Sequence, residues 1–277
     1  MIGAAVTAAW LTDAVLKRRI AVHEATLVTG LSLAMMMPRG SPWWLGAAGG
    51  VLAIGLAKHA FGGHRRNIFN PSAFARVALM VVLPSYFLAP EWALDGVSGA
   101  TPLAKESGAI QWTLTDLARG DVFGALAQIM PAAVGLGGLL LMVMKISDWR
   151  VPLVYLGTIG LCVLLLPSGS RQLGHTPWLS QDLGTHLLGG GTLFAASFLL
   201  TDPVTSPVTH SGRIWFAITA GIITMLVRFY TPYPDGAAIS VLVANLTVPG
   251  FDRLARIFAN SAQQSQRAVL AHKPPVS

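Results

Sequence analysis

Apolar stretches of membrane-spanning length recur along this chain, at 1–16, 24–37, 42–60, 70–88, 122–144, 151–167, 185–200, 212–229 and 236–249. A helix needs about 20 apolar residues to cross the hydrocarbon, and fewer where it is tilted or broken, so the pattern predicts about nine transmembrane helices. Composition agrees: 53% of residues are hydrophobic and only 11% charged, outside the usual range of soluble domains. The expected fold is all-α, a polytopic membrane protein forming one integral membrane domain over 1–277. The first stretch lacks a basic start and runs into Lys17-Arg18-Arg19 in place of a small-residue cleavage site. It is expected to be an uncleaved helix.

Basic residues then set the orientation. With alternating helices, Lys17, Arg18, Arg19, Lys58, Arg65, Arg66, Lys145, Arg150, Arg213, Arg253 and Arg256 collect on one side, which the positive-inside rule makes cytoplasmic. The loop at 89–121 therefore faces outward. The net charge of +7 reads as a topology signal and an attraction for the anionic lipid surface, and no aromatic-interleaved basic groove suggests nucleic acid. Cys162 lies mid-helix, where a small apolar role fits best. Seven histidines show no metal-ligand spacing, so no metal is expected, and His59 and His64 read as interfacial or loop residues. No Walker loop or dinucleotide fingerprint is present.

The outward loop carries Asp95-Gly96-Val97-Ser98-Gly99-Ala100-Thr101. This reads D-x-x-[ST]-G-A-T, the acceptor pattern on which a flavin transferase attaches FMN through a phosphoester to the threonine hydroxyl. Thr101 would supply the ester oxygen, while Ser98, Gly99 and Ala100 admit the transferase and Asp95 belongs to its recognition motif. The same residues also spell a small-residue turn ahead of Pro102. The membrane context favours the flavin.

Polar, proline-bearing segments interrupt the apolar pattern after 60 and after 200: Asn67-Ile68-Phe69-Asn70-Pro71-Ser72 and Thr201-Asp202-Pro203-Val204-Thr205-Ser206. Backbone that leaves a helix at membrane depth needs protein, water or a ligand to satisfy it. Asp202 is an ionisable group near the boundary and is expected to have a partner or a function. Each segment reads equally well as a capped cytoplasmic turn or as the lining of an internal cofactor or ion site. A faint echo links the short stretch opening at Glu24 and ending at Pro38 with that opening at Asp235 and ending at Pro249. Run in opposite directions, they suggest two related halves, an inverted repeat with broken helices. Arg228, near the outer end of its helix, is expected to snorkel to headgroups or pair with Asp235, a contact to the flavin phosphodiester being the other reading.

The motif set G-G-x-x-x-N-I-F-N-P at 62–71, D-G-V-S-G-A-T-P-L at 95–103, D-W-R-V-P at 148–152, T-D-P-V-T at 201–205 and Y-P-D-G-A-A at 233–238 resembles the RnfD family. Its members are membrane subunits of Rnf-type electron-transport complexes, homologous to the B subunit of the sodium-pumping NADH:quinone reductase. The resemblance implies a bacterial cytoplasmic-membrane subunit of two related halves, with covalent FMN on the residue matching Thr101. It further implies a noncovalent riboflavin inside the membrane domain, which the broken segments with Asn70, Thr201, Asp202 and Thr205 would help to hold. Implied partners are a second flavinylated subunit, iron–sulfur and NAD-linked subunits, and the flavin transferase. The chain is shorter than typical members, as if starting near the second family helix, and Gly63-His64-Arg65-Arg66 is more basic than usual at that place. These departures keep open a relative serving another flavin-based transmembrane electron route. An inverted-repeat channel or transporter without flavin is the alternative from a different class.

Overall fold

The computed structural model describes residues 2–17, 24–60, 67–88, 113–120, 122, 124–165, 183–231, 233 and 236–271, and beyond 258 the side chain of Ser261 alone. Helix α1, Ile2–Lys17, packs against α2, Glu24–Met36, and α3, Trp43–Val51. Small residues allow the backbones to meet. A Cβ on Gly30 would lie 2.9 Å from Val6 Cα, and one on Gly50 would lie 2.6 Å from the Ala5 carbonyl oxygen. Lipid offers no hydrophobic drive between helices, so such close van der Waals contact is what holds them.

Helix α3 runs on without a break as a π-helical segment, π1, Leu52–Ala60. Helix α4, Pro71–Val82, follows, and Leu83-Pro84 separates it from the single turn α5, Ser85–Leu88. The expected span at 70–88 is thus interrupted, because Pro84 has no N–H to continue the helical ladder. Two more expected spans are also broken. The one at 122–144 divides into α7, Leu126–Ile129, and α8, Pro131–Val143, with a short capped helix α6, Leu114–Arg119, ahead of them. The one at 185–200 divides into α10, Leu183–Leu188, and α11, Thr192–Phe194, which continues as a second π segment, π2, Ala195–Leu199. Gly190 and Gly191 hold φ of 62° and 71° at that break, a left-handed conformation that glycine adopts without a Cβ clash.

Helix α9, Arg150–Leu165, and helix α12, His210–Tyr230, match their expected stretches closely. The last helix does not. α13 extends over Gly236–Ala271 with Pro249 inside it, whereas the sequence reading ended it at Pro249. In a membrane setting the carbonyl freed by a proline can be satisfied by neighbouring groups, so the helix need not stop. The echo between the segments opening at Glu24 and Asp235 therefore pairs a helix of 13 residues with one of 36. Among the described residues, His210–Tyr230 and Gly236–Phe258 are long and apolar enough to cross a bilayer alone, while Glu24–Met36, Pro71–Val82, Pro131–Val143 and Arg150–Leu165 are shorter apolar helices.

The apolar core has two parts. Leu33, Met37, Leu45, Ala53, Ala75 and Leu79 join α2, α3, π1 and α4. The larger part centres on Tyr155, Ile159, Phe194, Leu200, Phe216 and Val241, from α9, α11, α12, α13 and the end of π2. Within it a hydroxyl ladder crosses three helices: Tyr155 Oη lies 2.9 Å from Thr224 Oγ1, which lies 2.8 Å from Ser240 Oγ. Gly236 lets α13 start against α12, since a Cβ there would sit 2.6 Å from the Thr224 carbonyl oxygen.

Candidate functional site

The two broken segments come together. Asn70 is the N-cap of α4, its Oδ1 accepting from Ala73 N at 3.2 Å and from Ser72 Oγ at 2.7 Å. Pro71 at the first helical position, with φ preset and no N–H to leave unpaired, completes the start. Asp202 closes its own turn, with Oδ1 accepting from Val204 N at 3.0 Å and Oδ2 from Thr205 Oγ1 at 3.2 Å. Up to this point each segment is a capped turn. Asn70 Nδ2 then donates to Asp202 Oδ2 at 3.3 Å, joining segments 132 residues apart.

Asn245 of α13 locks the pair. Its Oδ1 accepts from Asn70 N at 3.0 Å and its Nδ2 donates to the Thr205 carbonyl at 3.0 Å. Asn70, Thr205 and Asn245 are all buried. One amide side chain thus satisfies a donor on one broken segment and an acceptor on the other, as buried backbone groups require. Thr201 stays out of this clasp, its hydroxyl donating to the Ser197 carbonyl at 2.6 Å. Asn70, Asp202 and Thr205 are therefore assembled as the sequence suggested, and Thr201 is not. Asp95, Ser98, Gly99, Ala100 and Thr101 lie outside the described residues.

A second polar cluster was not read from the sequence. Asp13 continues the Ala5 and Ala9 packing face of α1, four residues on, and is fully buried. Its Oδ2 accepts from Lys17 Nζ at 3.1 Å and from Thr26 Oγ1 at 3.0 Å, and its Oδ1 lies 2.9 Å from His59 Nε2. Thr26 Oγ1 in turn accepts from Lys58 Nζ at 3.2 Å. Lys58 was counted among the cytoplasmic-side cations and His59 read as interfacial or in a loop; Lys58 is 4% exposed within π1, and His59 is partly buried against Asp13. The missed signal was Asp13 itself, an acid inside an apolar stretch, which needs a partner when the stretch is buried.

Two buried arginines brace helix ends. Arg76 of α4 donates from Nη1 to the Met36 carbonyl at the end of α2, with Phe87 under its guanidinium at 5.3 Å. Arg228 donates to the His186 carbonyl at 2.8 Å, to the Gly189 carbonyl at 3.2 Å and to Thr192 Oγ1 at 2.6 Å. It is fully buried, which overturns the snorkelling expected of it. The break between α10 and α11 exposes carbonyls inside the protein, and the forked guanidinium answers them better than headgroups would compete for it. Asp235 lies outside the described residues.

The D-W-R-V-P run also acquires a role. Asp148 Oδ1 accepts from Arg150 N at 3.0 Å, and Oδ2 pairs with Arg213 Nη1 at 2.8 Å, tying the start of α9 to α12. Burial pulls the Asp148 carboxyl upward, but the hydrogen bonds from Arg213 and from Arg150 N outweigh it and hold it below the ordinary carboxylate value.

Residues 1–258 match the family model for the NQR2, RnfD, RnfE family. The chain is 37% identical over 250 residues to the D subunit of the Na(+)-translocating ferredoxin:NAD(+) oxidoreductase complex of Acetobacterium woodii, covering 87% of this chain and 74% of that protein. It is 33% identical over 266 residues to the D subunit of the proton-translocating ferredoxin:NAD(+) oxidoreductase complex of Clostridium ljungdahlii, covering 90% and 78%. It is 32% identical over 289 residues to the D subunit of the ion-translocating oxidoreductase complex of Stutzerimonas stutzeri, covering 90% and 79%. With the match running through both broken segments and nearly the full chain, this protein belongs to the NQR2, RnfD, RnfE family.

Proposed function

We propose that this chain is the flavin-carrying membrane subunit of an ion-translocating oxidoreductase complex, with FMN esterified through its phosphate to Thr101 Oγ1. The observation that carries the reading is the Asp95 to Thr101 acceptor motif in a member of this family. The relatives' names, as D subunits of ferredoxin:NAD(+) oxidoreductase complexes, support the rest. Basic-residue asymmetry favours an outward-facing 89–121 loop, and the bacterial relatives favour a bacterial cytoplasmic membrane. A flavin accepts electrons singly or in pairs and so connects pair donors with one-electron carriers. The chain's own part is to fix it at the membrane surface. Its partners in this reading are iron–sulfur and NAD-linked subunits, a second flavinylated subunit and a flavin transferase.

The noncovalent riboflavin is a different matter. The groups that were to hold it, on Asn70, Asp202 and Thr205, are hydrogen-bonded to one another, and Thr201 bonds its own helix. They fit a structural clasp and not a flavin cradle. No riboflavin contact is assigned to them.

Thr101→Ala is the test. In cells with an active transferase, the wild-type subunit should give a fluorescent band on a denaturing gel, and its Thr101 peptide should carry one FMN less water. The variant should lose both, with stability changed by less than about 0.5 kcal/mol, the usual size for a surface substitution, which the sequence reading of an outward-facing loop leads us to expect. Thr101→Ser, which keeps a hydroxyl, should retain some attachment. An unmodified, colourless wild-type chain would reject the reading and favour an inverted-repeat channel or transporter.

A further inference from the structure

Arg150 opens α9 and Arg213 lies in the first turn of α12, and of the two only Arg213 has an anionic partner. It donates from Nη1 to Asp148 Oδ2 at 2.8 Å and from Nε to the Pro207 carbonyl at 2.9 Å. The other oxygen of Asp148 accepts from Arg150 N at 3.0 Å. The Arg150 guanidinium is near enough to act on the Asp148 charge, but among the described residues no carboxylate forms an ion pair with it.

What holds the Arg150 side chain is neutral. Its Nη1 donates to His210 Nδ1 at 2.8 Å, and its guanidinium lies 5.7 Å from the centre of the Trp149 ring. Arginine has no lone pair to offer, so His210 Nδ1 is the acceptor and the imidazole is uncharged, with its proton on Nε2. A carboxylate in that place would orient the guanidinium and cancel its charge; the imidazole orients it and leaves the charge intact. Arg150 is half-buried, with most of its five N–H groups unused.

The surroundings are those of a membrane–water boundary. α9 and α12 run in the same direction, since Arg150 meets His210 at one end and Thr158 meets Gly221 further along, so both helices begin on this side. Trp149 and His210 are exposed, and Trp215, Ile222 and Leu226 continue an exposed apolar face down α12. Tryptophan collects at headgroup level, and basic groups between helices on the cytoplasmic side attract lipid phosphates. An acidic side chain from a soluble subunit would answer the charge alone. A phospholipid answers both the charge and the apolar face below it.

We propose that Arg150, seated by His210 and Trp149, binds the phosphate of an anionic phospholipid at the α9–α12 end of the bundle. The planar fork of the guanidinium matches two phosphate oxygens, and the acyl chains follow the α12 face. His210 is a positioning residue. The site is independent of the flavin on Thr101.

The full chain, purified with the subunits that accompany it, is stripped of lipid in detergent and offered phosphatidylglycerol and phosphatidylcholine, with bound lipid counted by native mass spectrometry. Wild type should retain phosphatidylglycerol in preference, and Arg150→Gln should lower that preference about fivefold, the size of one basic residue at an anionic lipid surface. Arg150→Lys, which keeps the charge without the fork, should fall between them. Lys145→Gln removes an exposed cation from the connection between α8 and α9 and should match wild type. An equal drop in Lys145→Gln would reduce the effect to diffuse surface charge and overturn the proposal, as would a wild type without preference or an unchanged Arg150→Gln. Loss of a subunit from Arg150→Gln with lipid preference intact would make the surface a protein contact, and overturns it too. If Arg150→Gln does not assemble, His210→Leu, which unseats the fork and keeps the charge, should show the lowered preference; wild-type preference there, or failure of both variants to assemble, makes the pair purely structural. Covalent flavin should be unchanged in every variant, so a colourless wild-type chain would reject the flavin reading and leave this one standing.

Discussion

Arg228 in the C-terminal helices and Lys58 in the N-terminal ones are both buried cations, and their surroundings are opposite. Arg228 fills a break in the backbone. The carbonyls of His186 and Gly189 and the Thr192 hydroxyl take up its fork, so it replaces hydrogen bonds that the missing helical turn would have made. Lys58 replaces nothing. It stands in an unbroken run of α3 and π1 and meets one hydroxyl. The neighbouring polar groups follow the same division. The C-terminal core carries the neutral Tyr155, Thr224 and Ser240 ladder, whereas the N-terminal cluster gathers Asp13, Lys17, Lys58 and His59. A buried polar group that meets several partners rigidifies the helices around it, and Arg228 with three acceptors does so more than Lys58 with one.

The contrast can be broken first at Arg228. Arg228→Met should leave the carbonyls of the α10–α11 break unpaired in an apolar core and cost about 2–4 kcal/mol, enough to abolish assembly or lower the melting temperature sharply in detergent. If Arg228→Met melted like wild type, the guanidinium would not be bracing that break. Lys58→Met should be much milder in stability, because it leaves one hydroxyl and no broken helix end without a partner.

A middle-sized effect is expected at the clasp that joins the two regions. Asn70→Ala removes a helix cap and the bridge to Asp202 together, and should cost about 1–3 kcal/mol. Asn245→Ala should have a similar cost, because it removes the second bridge between the same segments, to Asn70 N and the Thr205 carbonyl. The double variant should then fall short of the summed losses, as coupled neighbours do. Full additivity in thermal unfolding would show that the two asparagines act separately.

The smallest effect concerns Asp148, which lies in the turn before α9, outside the membrane-spanning segments, and pairs with Arg213 in the first turn of α12. Its folded carboxyl titrates below the ordinary value, so the unfolded chain takes up the proton first. The stabilisation is present above the unfolded value of about 3.9 and is lost as pH falls through the lower folded one. Asp148→Asn should cost about 0.5–1 kcal/mol at neutral pH, the difference from wild type closing on strong acidification. A gap that persists unchanged at the lowest attainable pH would assign the effect to packing.

Much of the fold was legible in the sequence. Apolar stretches located α1, α2, α3 with π1, α9 and α12 closely, because burial in lipid and protein imposes apolarity along the entire length of a helix. Prolines marked interruptions but not their consequences. Pro71 and Pro131 start helices, while Pro249 is carried inside one, and the difference depends on what surrounds the freed backbone groups. Charge was least legible. Lys58 counted as a topology signal and Arg228 as a cation snorkelling to headgroups or pairing with Asp235, yet both are buried, since nothing in the linear pattern says which helix face meets protein and which meets lipid.

The order of residues alone carried the helical membrane class, the family and the Asp95 to Thr101 run on which the flavin proposal rests. Each depends on residue type at short spacing, which the chain displays directly. Three-dimensional packing was needed for Asn245 to clasp the two broken segments across 175 residues and for Thr201 to turn away. The same packing made Asp13, Thr26 and Lys58 one buried chain from three separate segments. Such partnerships arise where helices meet, because distances between faces are set by small-residue contacts and not by position along the chain.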